Sequence, residues 1–354
     1  MRNKPISETE VVRQVIKRLQ ASLPAAWEVA GALDSPVQGA VQRHDALVTL
    51  RSSDGSTADL AIETKAHIEP KDVQRLSEQA EQRNGAPILL AAPFLGPRTR
   101  ELLRQKKLSH GDSTGNLWLV LDKPVVWIER AGATENPWHE VRMLQSLKGT
   151  KAGRVVRALC DIRPPYGVRE LAKRARVTPA AISRVADILD REALLKKDPR
   201  GRILEVDWTS VLRRWTDDYR VLSSNRMLSC LEPRGLSHLL GNLPRLGQRH
   251  AVTGSLAAAR RSPLASSRLA LIYVDELESA GRELGLRPTE AGANVMLLAP
   301  FDEVVYERTE SADGVVYAAA SQVAVDLLTS PGRGPEEGEG LLAWMKEHES
   351  DWRT

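Results

Sequence analysis

The feature that most restricts the fold of this chain is a pair of short apolar segments on either side of a polar turn. Residues 44–50 (HDALVTL) and 58–65 (ADLAIETK) flank residues 52–56 (SSDGS). Segments of this length, rich in Val, Ile and Leu and separated by a glycine-containing turn, indicate two strands joined as a hairpin. The N-terminal part of the chain is therefore expected to contain a sheet built on this hairpin.

Three ionisable side chains lie at the open end of the predicted hairpin. Successive side chains of a strand point to opposite faces, so Glu63 and Lys65 are expected on one face, with Asp45 beside them. Two carboxylates can hold Mg²⁺ or Mn²⁺ next to a phosphate, and a lysine can orient or deprotonate the attacking water. Asp45, Glu63 and Lys65 are therefore candidate catalytic residues, the two carboxylates being candidate metal ligands. The alternative is that Glu63 and Lys65 form only a solvated surface pair.

This constellation resembles the motif of the PD-(D/E)XK nuclease-like superfamily, with His44 in place of the leading proline. The superfamily has a helix before the hairpin, and residues 8–19 carry apolar side chains at helical spacing. The resemblance implies a restriction-endonuclease-like α/β domain over residues 1–135. It also implies Glu10 as a fourth catalytic residue.

Later segments follow the order of elements that this resemblance implies. Residues 70–82 predict a helix and residues 86–92 a buried strand. A second hairpin is expected to end near residue 129. Because tryptophans in strands usually pack inside, Trp118 and Trp127 are expected in the core rather than stacked on bases.

Length and composition bound the class of protein. A chain of 354 residues is long enough for two or three domains. It has no apolar run of the roughly 18 residues that a membrane span needs, and no recognisable signal peptide. Two cysteines cannot form a disulfide framework or a zinc site on their own. A cytoplasmic protein, with no membrane partner, is the expectation.

The basic charge of the chain is concentrated in one segment. Residues 142–214 contain 18 Lys and Arg against 8 Asp and Glu, whereas the whole chain carries a net charge of only +4. The remainder of the chain is therefore net acidic. A local excess of this kind is expected of a domain that contacts nucleic-acid phosphates, which would make the protein nucleoid-associated.

The same segment has the pattern of a winged helix-turn-helix domain over residues 154–214. Residues 154–163 and 168–175 predict two amphipathic helices. Thr178 is a helix N-cap followed by proline at the first helical position of the next helix. Residues 196–202 (KKDPRGR) then predict a basic β-hairpin, the wing.

In domains of this type the second helix of the motif enters the major groove, with its N-terminal residues on base edges. Ser183 and Arg184 are the candidate base-reading residues, because arginine can bond guanine at two positions. The candidate DNA-binding residues are Thr178, Ala180, Ser183, Arg184, Lys196, Lys197, Arg200 and Arg202. The alternative is a winged-helix module that binds protein and carries ordinary surface charges.

The C-terminal part resembles the nucleotidyltransferase fold. Residues 252–255 (VTGS) precede a short helical stretch and the apolar strand 269–275 (LALIYVD). In that family a Gly-Ser turn binds phosphate and two alternating acids on the strand hold Mg²⁺. Here Tyr273 occupies the first acid position and only Asp275 remains, so two-metal chemistry is not expected. The resemblance implies a degenerate nucleotidyltransferase-like α/β domain over residues 215–354, whose Gly-Ser turn binds phosphate or only caps a helix.

A winged helix followed by such a domain resembles the AbiEi-type antitoxin and transcriptional regulator group. Residues 322–335 (QVAVDLLTSPGRGP) also resemble a stretch common there, and residues 136–153 are then a linker. The resemblance implies transcription regulation, double-stranded DNA as partner, and a cognate toxin in a toxin–antitoxin pair. Recognition of two DNA half-sites would also require a homodimer.

Two functions remain open on this reasoning. The chain is expected to be a sequence-specific DNA-binding regulator in which the nuclease-like domain performs no catalysis. Alternatively, it is a Mg²⁺-dependent DNA endonuclease for phage defence or repair, directed to its target by the winged helix. A nucleotide-transferring toxin is disfavoured by Tyr273. The first two functions differ in whether Asp45, Glu63 and Lys65 hydrolyse phosphodiesters.

Overall fold

The computed structural model describes residues 6–33, 45–83, 86–138, 146–263 and 267–354. The chain divides into two compact units, one formed by Met1–Leu144 with Arg191–Ala193 and the other by Gln145–Asp190 with Leu194–Thr354. Each unit combines helices with a seven-stranded sheet, so the expected multidomain α/β organisation is confirmed. His44 lies outside the described residues.

The first unit begins with a helix and continues with alternating groups of strands and helices. Its helices are α1 (Glu8–Gln20), α2 (Asp72–Glu81) and α3 (Pro97–Gln105). Its strands are β1 (Glu28–Leu33), β2 (Ala46–Arg51), β3 (Thr57–Thr64), β4 (Ile88–Ala92), β5 (Ser109–Asp112), β6 (Leu117–Asp122) and β7 (Val125–Arg130). The helix expected over residues 70–82 is α2, and the strand expected over 86–92 is β4.

The seven strands of this sheet lie side by side in chain order. β1, β2 and β3 pair antiparallel, β3, β4 and β5 pair parallel, and β5, β6 and β7 pair antiparallel. The predicted hairpin is β2–β3, and Gly55 in its turn has φ +84°, a conformation that glycine adopts without strain. Because β2 begins where β3 ends, the residues before β2 and after β3 meet at one end of the sheet.

Helices cover both faces of the sheet. Val12 and Val15 of α1 pack in one core with Ile62 of β3, while Leu76 of α2 and Leu90 of β4 belong to a second core. Burying an aliphatic side chain of this size stabilises the fold by about 1.5–3 kcal/mol. The amphipathic pattern of α1 and α2 therefore fixes which face of the sheet each helix covers.

The expectation that Trp127 lies in the core is wrong. Its side chain is 73% exposed, whereas its neighbours Val126 and Ile128 are buried. Strand β7 is the last strand of the sheet, and alternation sends Trp127 to the face opposite these two buried residues. Trp118 is half-buried and stacks on the buried ring of His110.

The second unit begins with helices and ends with a mixed sheet and further helices. The helices are α4 (Thr150–Asp161), α5 (Val168–Arg174), α6 (Pro179–Arg191), α7 (Trp208–Trp215), α8 (Val221–Ser224), α9 (Leu236–Asn242), α10 (Gly254–Ala258), α11 (Leu277–Glu283), α12 (Ala320–Leu328), α13 (Gly334–Glu347) and α14 (Glu349–Trp352), with short 3₁₀ turns at Leu243–Arg245 and Glu303–Tyr306. Among the described residues of the whole chain, none forms a helix long and apolar enough to cross a membrane.

The strands of the second unit form a two-stranded and a seven-stranded sheet. They are β8 (Leu195–Lys197), β9 (Ile203–Val206), β10 (Arg226–Leu231), β11 (His250–Thr253), β12 (Ala270–Val274), β13 (Arg287–Pro288), β14 (Val295–Ala299), β15 (Glu310–Ala312) and β16 (Val315–Tyr317). β8 and β9 pair antiparallel. The larger sheet has the order β13-β10-β14-β12-β11-β16-β15.

The segments predicted as a winged helix and as a C-terminal domain share one hydrophobic core. This core includes Leu159 of α4, Ile182 of α6, Tyr273 of β12 and Val323 of α12. The buried side chain of Arg157 donates hydrogen bonds to Asp161 on α4 and to Gln322 on α12. The domain boundary expected between residues 214 and 215 therefore falls inside a region whose two sides share one hydrophobic core.

Candidate functional site

Helix α6 begins at a well-formed N-cap. The Thr178 hydroxyl accepts a hydrogen bond from the backbone N–H of Ala181 at 3.3 Å, and Pro179 is the first helical residue. The turn before it contains Arg176 at φ +52°, and the Val177 N–H donates to the Ala172 carbonyl at 3.0 Å. Sequence-local signals therefore fix where α6, the predicted recognition helix, starts.

The two faces of α6 differ sharply in exposure. Ile182, Val185, Ala186, Ile188 and Leu189 are buried and anchor the helix. Thr178, Ala180, Ser183 and Arg184 are all exposed. The Arg184 guanidinium makes no hydrogen bond or ion pair with the described residues. The predicted base-reading side chains thus share one open face at the N-terminal end of the helix.

Asp198 organises the tip of the predicted wing, which is the turn between β8 and β9. Its Oδ1 accepts hydrogen bonds from the backbone N–H groups of Arg200 at 2.8 Å and Arg202 at 2.9 Å. Gly201 provides the left-handed turn at φ +80°. The side chains of Arg200 and Arg202 are exposed and have no ion-pair partner among the described residues. Both cations are therefore available to a polyanion.

The two wing lysines have protein partners instead. Lys196 Nζ lies 2.8 Å from Glu205 across the β8–β9 pair, and both side chains are largely exposed. Lys197 Nζ lies 2.6 Å from Asp187 and 3.7 Å from Asp190, both on α6, and Lys197 is only 21% exposed. Lys197 therefore joins the wing to α6, and its predicted contact with phosphate would require this ion pair to open.

Two further cations on α5 were not among the predicted DNA-binding residues. Arg169 and Lys173 are exposed and have no ion-pair partner in the described part of the chain. They lie four residues apart and so share one face of the helix. Their i,i+4 spacing in a basic segment is a sequence signal that could have identified them.

The second candidate site is the end of the hairpin in the first unit. Asp45 precedes β2, and its Oδ2 accepts a hydrogen bond from the backbone N–H of Thr64 at 2.6 Å. Because Ala46 pairs with Ile62, Asp45 lies opposite Glu63. Lys65 Nζ lies 2.6 Å from Glu63 Oε1. The structure therefore brings the three predicted residues to one end of the sheet, as the alternation of side chains indicated.

A fourth residue, Arg83, places a second positive charge next to Glu63. Its guanidinium lies 2.8 Å from Glu63 Oε2, so each oxygen of this carboxylate contacts a cation. Burial alone raises the pKa of Glu63, but the hydrogen bond and charge of Lys65, together with Arg83, outweigh it and hold the pKa below its ordinary value. Arg83 follows α2, and no short-range pattern links it to Glu63.

Glu10 has different surroundings from the other predicted catalytic residues. Its carboxylate accepts hydrogen bonds from Arg13 at 2.5 Å and Gln14 at 2.9 Å, both on the same helix. Helix α1 packs on the face that carries Ile62, and alternation places Glu63 on the opposite face. The role of Glu10 as a fourth catalytic residue stays a prediction.

The donor set at this sheet end only partly suits a divalent metal. Within the described ranges, no three His, Cys, Asp or Glu side chains come together as a possible ligand set. Asp45 and Glu63 supply carboxylate oxygens, which Mg²⁺ and Mn²⁺ prefer. Both oxygens of Glu63 already contact cationic nitrogens, so a metal would have to displace Lys65 or Arg83. The carboxylate is thus neutralised by the protein itself.

In the second unit, Tyr273 belongs to a buried hydrogen-bond network centred on Asp326. Asp326 is fully buried and accepts hydrogen bonds from Thr253 at 2.6 Å, Tyr219 and Tyr273 at 2.8 Å, and Gln322 at 2.9 Å. Burial raises the pKa of Asp326 to about 6, although these donors oppose the shift. Tyr273 and Asp326 are both fully buried within this network.

Two further acids of this unit, Asp275 and Asp302, each form an ion pair with an arginine. Arg249 holds both oxygens of Asp275, at 3.0 and 3.1 Å. Arg154 Nε lies 2.8 Å from Asp302. Comparison with protein-family models, with curated proteins and with solved structures finds no match to the chain.

Proposed function

We propose that this chain is a sequence-specific protein for double-stranded DNA, a transcriptional regulator that reads the major groove with α6. The observation that carries the proposal is the open N-terminal face of α6. A buried stripe anchors this helix, and its exposed Arg184 has no partner in the part of the chain that the structure describes. A helix presented in this way fits the major groove, where arginine recognises guanine through O6 and N7.

The wing and α5 support this proposal by their charge. Arg200 and Arg202 at the wing tip, and Arg169 and Lys173 on α5, are exposed cations without described ion-pair partners. Such cations bind phosphates. Phosphate contacts fix the position of a protein on the duplex, but they do not distinguish one base from another. Arg184 is then the side chain that supplies specificity, and these four supply sequence-independent affinity.

The resemblance to AbiEi-type regulators adds a biological role to the proposal. It suggests a repressor, binding as a homodimer to paired half-sites near its own gene, with a cognate toxin as partner. On this view the first unit contributes non-catalytic DNA affinity or dimer contacts. The toxin and the dimer interface are proposed on the resemblance alone.

The test is binding of the full chain to its own upstream DNA and to random DNA, measured by fluorescence anisotropy over a range of salt. We expect tight binding to one upstream site that weakens steeply with salt. Arg184→Ala should reduce the preference for that site. Arg226→Ala is the matched control, because Arg226 is an exposed arginine on β10 that pairs with none of the residues described. Equal affinity of the wild type for both DNAs would refute the proposal.

A metal-dependent endonuclease is the second candidate function. The observation that favours it is the meeting of Asp45, Glu63 and Lys65 at one end of the sheet. The ion pairs of Glu63 with Lys65 and Arg83 weigh against it, because they satisfy the carboxylate without a metal.

Cleavage of supercoiled plasmid with Mg²⁺, Mn²⁺ or EDTA tests the second function. A nuclease predicts nicking that requires metal and disappears in Asp45→Ala. It also predicts unchanged nicking in Asp59→Ala, a control on the same hairpin whose exposed carboxylate bonds Thr49. If the wild type shows no metal-dependent nicking, the endonuclease function is refuted and the regulator remains.

A further inference from the structure

An exposed apolar patch lies at one edge of the sheet in the first unit. Five large apolar side chains are exposed among the described residues, and three of them, Val120, Val125 and Trp127, lie on β6 and β7. Trp127 is directly opposite Val120 in the β6–β7 pair, and Val125, which is 82% exposed, shares its face. Grouping of this kind, unlike single scattered side chains, marks an interaction surface.

The backbone at the outer edge of β7 is open as well, since none of the described strands pairs with it. The Val120 N–H points toward β5, where it donates to the Ser109 hydroxyl at 3.4 Å. Residues opposite each other in an antiparallel pair either bond each other or both point away, so the backbone groups of Trp127 point outward. Alternation gives Val125 and Glu129 the same orientation. β7 therefore offers a row of donors and acceptors to another strand.

The order of residues along this edge is complementary to itself. When two copies of β7 run antiparallel about a two-fold axis at Val126, Val125 of each copy lies opposite Trp127 of the other. In the same register, Glu129 of each copy lies beside the β6–β7 turn of the other, which carries Lys123. Both of these charged side chains are exposed. This register therefore places apolar residues against apolar residues and opposite charges together at both ends.

We propose that β7 is an interface between two copies of this chain, which pair antiparallel in the register centred on Val126. Val125 and Trp127 exchange backbone hydrogen bonds across the interface, since both point their N–H and C=O groups outward. Each Trp127 indole is covered by Val125 of the other copy. A symmetric contact of this kind closes at two copies. The proposed homodimer thereby gains an interface argued from the chain's own residues, and this inference does not rest on DNA binding.

The chemistry of the patch favours a second copy over a nucleic-acid strand. Bases stack on aromatic rings, but two of the three exposed side chains are aliphatic. Glu129, which lies 2.6 Å from Arg104, also places a carboxylate where a phosphate backbone would run. In the dimer the same carboxylate faces Lys123, which has no ion-pair partner in the described part of the chain. Charge complementarity therefore identifies the occupant of this edge.

Sedimentation velocity of the full chain without DNA, at concentrations from about 1 to 100 μM, tests the proposal. We expect a reversible equilibrium between monomer and dimer. Trp127→Lys should raise the dissociation constant of the dimer on the order of tenfold or more, because its ammonium group would be buried against Val125. Met227→Lys is the matched control, since Met227 is an exposed apolar side chain on β10, and it should leave the equilibrium unchanged.

A charge swap tests the register itself. Lys123→Glu and Glu129→Lys each bring like charges together at both ends of the dimer, so each variant alone should associate more weakly than the wild type. An equal mixture of the two variants should associate more strongly than either alone, because every end contact then joins opposite charges. Both positions are exposed, so these variants provide the test if Trp127→Lys fails to fold.

Several results would overturn this assignment. They are a wild type that stays monomeric at all concentrations, a dimer that Trp127→Lys does not weaken, and a mixture of charge variants that associates no better than its components. Assembly beyond two copies that depends on Trp127 would do the same. So would a monomeric wild type that binds single-stranded DNA and loses that binding in Trp127→Lys.

Discussion

Lys197 on the wing lies 2.6 Å from Asp187 on α6, so an ion pair joins the two elements that are proposed to contact DNA. The pair is partly buried on the lysine side and exposed on the aspartate side. It holds the predicted wing next to α6, and it also places a carboxylate close to the surface that is proposed to face DNA. Its two effects on DNA binding are therefore opposed and can be separated.

Asp187→Asn should increase DNA affinity while changing stability little. The substitution removes a negative charge, so the ammonium group of Lys197 loses its nearest protein partner and is freer to contact a phosphate. One additional phosphate contact should steepen the dependence of log K on log salt by about 0.9. The free energy of unfolding should change by about 1 kcal/mol or less, as for exposed ion pairs. Salt-dependent anisotropy and urea unfolding measure the two effects, and an unchanged salt slope would show that Lys197 does not reach DNA.

Arg184→Ala and Arg200→Ala should have different signatures. Loss of Arg184 should cost about 1–3 kcal/mol of binding to the specific site and relax selection at one base pair. Loss of Arg200 should weaken binding to all sequences similarly and lower the salt slope by about 1. Competition binding to a library of single-base variants distinguishes them. Identical profiles for the two variants would contradict the assignment of groove and backbone contacts.

Glu63→Gln should destabilise the first unit at neutral pH by about 1–3 kcal/mol, because Lys65 and Arg83 lose their charged partner. The pKa of Glu63 is lowered in the folded state, so its contribution is present above the ordinary glutamate pKa and is lost as pH falls through the folded pKa. The difference in free energy of unfolding between variant and wild type should therefore decrease as the pH is lowered through the folded pKa of Glu63. Urea unfolding at a series of pH values measures it, with Glu28→Gln at an exposed position as control.

Asp326 should have the opposite pH dependence. Its folded pKa, about 6, exceeds that of an unfolded aspartate, so its contribution is fully present below the unfolded pKa and is lost as pH rises through about 6. The wild type should lose about 2–3 kcal/mol relative to Asp326→Asn over this window, since one pKa unit corresponds to about 1.4 kcal/mol. Chemical unfolding of both proteins between pH 4 and 7 provides the test. A pH-independent difference would mean that Asp326 does not titrate in this range.

Local patterns in the sequence were sufficient to predict several parts of this molecule. The stripe of Ile182, Val185 and Leu189 and the N-cap at Thr178 define α6 from neighbouring residues alone. Strand alternation likewise indicated that Glu63 and Lys65 share a face. In each case the relevant interactions join residues only a few positions apart, where helix and strand periods apply.

Contacts between distant residues were not predictable in this way. Arg83 reaches Glu63 from 20 positions away, and Gln322 reaches Arg157 from 165 positions away. The exposure of Trp127 depends on which strand ends the sheet, and the ion pair between Lys197 and Asp187 joins two separate elements. Single-sequence patterns carry no information about such pairings.

The core shared by α4, α6, β12 and α12 has a consequence for any attempt to isolate the segment that is proposed to bind DNA. Arg157 and Asp161 obtain partners from Gln322 and Ser321, far along the chain. A fragment ending near residue 214 would lose these hydrogen-bond partners and would expose apolar side chains of the shared core, such as Leu159 and Ile182, to water. The segment proposed to read DNA is thus not a portable module, because its core is completed by the sheet and helices of the C-terminal region.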